Sequence, residues 1–73
     1  MTRANAAEAA WSELGRKKGW VVRIEVGAEV IKRPPEQHGL EHDAAEADVR
    51  AMAVRIAQDD GYELDPATVR IVR

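Results

Sequence analysis

Cysteine is absent from the 73 residues, which excludes a disulfide framework and a thiolate metal site. Phenylalanine is absent as well. Trp11, Trp20 and Tyr62 are the only aromatics, so each is expected to anchor the core or an interface. No apolar run approaches the roughly 20 residues that a membrane span needs. Met1-Thr2-Arg3-Ala4-Asn5 leads into an interrupted, alanine-rich stretch and not into the unbroken apolar core of a secretory signal. These absences point to a cytoplasmic protein with no membrane contact. Gly15, Gly19, Gly27, Gly39 and Gly61 stand apart, so there is no glycine-rich phosphate loop.

The length allows one domain, residues 1–73, and a chain of this size buries only about 60% of its unfolded surface. Without disulfides, such a thin core calls for close local consistency, a second chain or another partner. The formal net charge of −2 argues against a surface built wholly for nucleic acid, while leaving room for a local basic patch.

Along the chain, Asn5 and Glu8 have capping-box spacing, and Ala7, Trp11 and Leu14 recur at helical intervals. A helix over about Asn5 to Lys18 is therefore expected, closed by Gly19. From Trp20 the period becomes two: Trp20, Val22, Ile24 and Val26 alternate with Val21, Arg23 and Glu25. Gly27-Ala28 suits a type II′ hairpin turn, which sets Val26 against Glu29, Ile24 against Ile31 and Val22 against Arg33. Pro34-Pro35 ends the second strand. Asp43 and Glu46 repeat the capping-box spacing before a helix over about Ala44 to Asp60, with Ala45, Val49, Met52, Ala53 and Ile56 inward and Gly61 as its stop. Leu64-Asp65-Pro66-Ala67 reads as a turn and Thr68 to Val72 as a last strand.

The expected fold is α+β in the order α-β-β-α-β, a three-stranded, mainly antiparallel sheet with both helices on one face. The last strand is preferred antiparallel beside the first strand of the hairpin. This order, with a tryptophan opening the first strand and an alanine-rich helix, resembles small bacterial domains in topology; a likeness of fold carries no activity.

Chemistry-bearing residues are few. His38 and His42 are four apart, with Glu41 and Asp43 close by, but Gly39 and the prolines mark that stretch as a loop, where helical spacing loses its meaning. Neither a metal nor a cofactor is expected. Ser12, Thr2 and Thr68 have no base placed beside them, so no catalytic residue is assigned and the chain is read as a non-enzyme.

Two binding readings remain. The first is a small binding or assembly module, a homodimer or an accessory to a larger protein. Its contacts would come from Val21, Arg23, Val30 and Lys32 on the hairpin and from Ala47, Ala51 and Val54 on the outer side of the second helix. The alternative is a nucleic-acid accessory in which Arg16, Lys17, Lys18, Arg23 and Lys32 hold phosphates and Trp20 stacks on a base.

Overall fold

The computed structural model describes residues 1–13, 18–33 and 40–73. The chain is α+β, with one helix and six strands in two sheets among the described residues. In order these are β1 (Thr2–Arg3), β2 (Ala6–Ser12), β3 (Gly19–Val26), β4 (Glu29–Arg33), α1 (Glu46–Asp59), β5 (Tyr62–Glu63) and β6 (Val69–Val72).

The hairpin follows its local code residue by residue. Val26 opposes Glu29, Ile24 opposes Ile31 and Val22 opposes Arg33. Gly27 has φ +60°, and no non-glycine residue among the described residues, Ala28 included, has positive φ, which identifies a II′ turn and not I′. Trp20, Val22 and Ile24 are buried on one side, while Arg23 and Glu25 are exposed on the other.

The first segment departs from the expected helix. Ala6–Ser12 is a strand in the middle of the sheet, pairing antiparallel with β3 from Ala6↔Glu25 to Ser12↔Gly19 and parallel with β6 from Ala7↔Val69 to Ala10↔Val72. Asn5 does not cap a helix; its N–H donates to the Glu25 carbonyl at 2.7 Å. Gly19 opens β3 instead of closing a helix. Alanine favours helices when nothing else decides, but a short isolated helix is marginal in water. Here the segment gains backbone hydrogen bonds to strands on both sides. It also alternates: Ala7 and Ala9 are buried, while Glu8 and Ala10 lie on the opposite face.

The principal sheet therefore has four strands and not three, in the order β4-β3-β2-β6, and a single helix among the described residues covers it. The last strand lies parallel beside β2, not antiparallel beside the hairpin, and with Ala6–Ser12 a strand the expected α-β-β-α-β order does not hold. A second, two-stranded sheet pairs β1 with β5 in parallel, Thr2↔Tyr62 and Arg3↔Glu63. It anchors the N-terminus beside the end of α1, and Ala4 is buried there.

α1 runs close to its expected span and lies over β2, β3 and β6. The expected cap is not formed: Ala45 is the N-cap with no side-chain bond, so Asp43 and Glu46 make no capping box. Val49, Met52, Ala53 and Ala57 are buried; Ala45 is exposed and Ile56 half-buried. Gly61, φ +85°, supplies the left-handed stop. Ala53 and Ala57 on the helix join Ala7 and Ala9 on the strand in one core cluster with Trp20, Val22, Ile24, Leu64 and Val69. Small side chains on both layers let helix and sheet backbones approach closely, which is the structural use of the alanine content. Leu64 belongs to this core, and the turn after it is a 3₁₀ turn, Pro66–Thr68, with the Asp65 carboxylate accepting from the Ala67 N–H at 2.9 Å.

Candidate interaction surface

The sheet has an inner face under α1 and an outer face that no described element covers. Strand register sets what the outer face carries. One row crosses all four strands as Arg70, Glu8, Arg23 and Lys32. A second holds Val72, Ala10 and Val21, and a third holds Ala6, Glu25 and Val30. Val30 on β4 is 60% exposed and Val72 on β6 is 44% exposed, at opposite edges of the sheet. Glu8 accepts from Arg70 at 2.9 Å. Arg23 and Lys32 have no carboxylate partner among the described residues. A shallow groove of about 400 Å³ runs over this face past Glu8, Arg23, Glu25, Val30 and Arg70.

Of the hairpin residues expected at an interface, Val21, Arg23, Val30 and Lys32 all fall on this face, with Val21 half-buried and the other three exposed. Ala47, Ala51 and Val54 lie elsewhere. They sit on α1, which packs against the opposite face of the sheet; Ala47 and Ala51 are exposed, and Val54 is half-buried against the core. The two sets are thus not brought together and cannot form one contiguous patch. Sequence reasoning missed Glu8, Ala10 and Val72, which with Arg70 complete the outer face once β2 is a strand. No spacing in Ala6-Ala7-Glu8-Ala9-Ala10 signals them, because alanine falls on both faces of the strand.

For the nucleic-acid reading, Arg16 and Lys17 lie outside the described residues. Lys18 is exposed just before β3. Trp20 is only 2% exposed, and its indole N–H donates to the Glu41 carbonyl at 3.2 Å. Its ring meets Trp11 edge-on, with centroids 5.5 Å apart, and the Arg73 guanidinium lies 5.5 Å from its centroid. No face of this ring is left for a base to stack on. Its surroundings form a clasp: Arg73 also donates to the carbonyls of His42 and Ala44, the latter at 2.6 Å, fastening the segment before α1 to the end of the sheet.

His42 stacks edge-on against Trp11, with centroids 5.2 Å apart. His38 lies outside the described residues. Among the described residues no three His, Asp or Glu side chains converge on one point, and no polar side chain is buried. No described helix is long and apolar enough to cross a membrane. Compared with family models, curated proteins and solved structures, the chain matches none.

Proposed function

We propose that the chain is a small non-catalytic assembly module that works as a homodimer or as an accessory to a larger protein, through the hairpin side of its sheet. The observation that carries this reading is Val30, 60% exposed on the outermost strand beside Arg23 and Lys32, neither of which has a carboxylate partner among the described residues. Exposed apolar area rimmed by charge is the usual composition of a protein contact. The helix set, Ala47, Ala51 and Val54, has weaker support, because Val54 already packs against its own core.

Sedimentation velocity on Val30→Lys and Ala51→Lys, the latter an exposed position of the helix set, tests the reading. The first places a cation in the proposed contact and should lower the average mass at a given concentration, while the second should leave it as in the wild type. Equal masses for all three proteins would overturn it. Binding of DNA or RNA that weakens with salt would favour the nucleic-acid alternative instead.

A further inference from the structure

β4 is the outermost strand, and the turn that makes it determines which of its backbone groups face outward. In a two-residue hairpin the closing pair, Val26 and Glu29, exchanges backbone hydrogen bonds, and bonded and unbonded pairs then alternate. Ile24 with Ile31 and Val22 with Arg33 are therefore bonded pairs, whereas Glu25 with Val30 and Arg23 with Lys32 are not. The neighbouring strand agrees: Asn5 N–H donates to the Glu25 carbonyl, so the Glu25 backbone faces β2 and away from β4. Consequently the N–H and C=O groups of Val30 and Lys32 point away from the sheet, and no described element lies beyond them. Unpaired edge groups are a template for another strand.

We propose that β4 pairs antiparallel with β4 of a second copy of this chain, about a two-fold axis through Ile31, joining two four-stranded sheets into one continuous sheet. Charge selects both the occupant and the register. About Ile31, Glu29 faces Arg33 of the second copy on the inner side, where the Arg33 guanidinium, already bonded to Asp60 of its own chain, keeps 45% of its side chain exposed toward a second carboxylate, and Val30 faces its Lys32 on the outer side. Opposite charges meet twice, and the lysine stem covers the exposed valine. Shifting the axis to Lys32 sets the two lysines against each other. Shifting it to Val30 leaves Glu29 opposite isoleucine. In the Ile31 register the outward N–H and C=O of Val30 and Lys32 form the inter-chain bonds, so backbone geometry and charge pattern agree. The other edge has no opposite charges to pair: β6, Val69–Val72, carries Arg70 and no carboxylate, and pairing it about Arg70 would oppose two arginines. In the joined sheet the Arg70–Glu8–Arg23–Lys32 row of each copy runs on into the Val30–Glu25–Ala6 row of the other.

This inference rests on the self-association proposed above, and the test separates the two. Lys32→Pro removes an N–H that points outward, so it spares the chain's own ladder while blocking the new one. It should keep the wild-type circular dichroism spectrum and raise the dimer dissociation constant at least tenfold. Ile31→Cys places the only two thiols of the dimer at an unbonded pair, where antiparallel Cα atoms lie about 4.5 Å apart, within disulfide range. It should form a cross-linked dimer under mild oxidation, and Val30→Cys, whose thiol would face a lysine, should not. A wild-type protein that is monomeric at all concentrations overturns both self-association and this contact. A wild-type dimer that survives Lys32→Pro, or that cross-links as readily through Val30→Cys as through Ile31→Cys, overturns the contact alone. If Lys32→Pro fails to fold, the cysteine pair still decides.

Discussion

Ala9 and Ala10 are adjacent, chemically identical and predicted to respond oppositely to enlargement. Ala9 is fully buried beneath α1, in the same core cluster as Ala53 and Ala57. A leucine there must push helix from sheet or adopt a poor rotamer, and overpacking of this kind costs about 1–3 kcal/mol. A domain of this length has only about 4–11 kcal/mol in total, so the loss is substantial. At about 4–8 °C per kcal/mol for a domain this small, Ala9→Leu should melt at least 4 °C below wild type, and up to roughly 24 °C below. Ala10 lies on the outer face between Val21 and Val72, half-buried with room above it. A β-branched residue suits that site, and Ala10→Val should be neutral or stabilising by up to about 1 kcal/mol. The assay is thermal melting by circular dichroism at one fixed protein concentration, because self-association makes the midpoint concentration-dependent. A helix with Ala7, Trp11 and Leu14 inward reverses the expectation: Ala10 would sit beside the buried stripe and Ala9 would face water. If Ala10→Val proves the more damaging change, β2 and the close helix–sheet packing are wrong.

Three further outcomes follow from particular contacts. Gly27→Ala should lose about 1–2 kcal/mol in urea unfolding, because nothing lies within 4 Å of an added Cβ and the cost is the positive φ alone; no loss would contradict the II′ turn. Arg73→Ala releases the carbonyls of His42 and Ala44 and the cation over Trp20, and should shift tryptophan emission to the red with a loss of about 1 kcal/mol; an unchanged spectrum would show the clasp to be unimportant. Ile24→Ala, at a fully buried position on β3, should cost about 2–5 kcal/mol in the same unfolding assay, whereas Val30→Ala should stay within about 0.5 kcal/mol; similar values would reverse the assignment of sheet faces.

What could be read from the sequence was local. The hairpin register, its turn and the two faces of β3 follow from alternation and from Gly27, all within a span of 15 residues, Gly19 to Arg33. The helix span and its Gly61 stop were equally legible, since periodicity and a glycine act on neighbours. Its capping box was not, because Ala45 begins the helix with an extended backbone and leaves Asp43 outside it. The failure at Ala6–Ser12 has one cause: alanine prefers helix by itself but fits a strand when a helix must lie close above. What made it a strand, pairing with Val69–Val72 some 60 residues away, leaves no trace in nearby spacing. The candidate surface divides the same way. Val21, Arg23, Val30 and Lys32 could be placed on one face from the hairpin alone, while Glu8, Ala10, Arg70 and Val72 could not until β2 joined the sheet.

Molar mass measured by light scattering across a dilution series tests the assembly claim most directly. A mass rising toward twice 8.1 kDa with concentration, and falling toward 8.1 kDa on dilution, is the predicted result for a contact as short as one five-residue edge strand. A constant 8.1 kDa up to millimolar protein would contradict it.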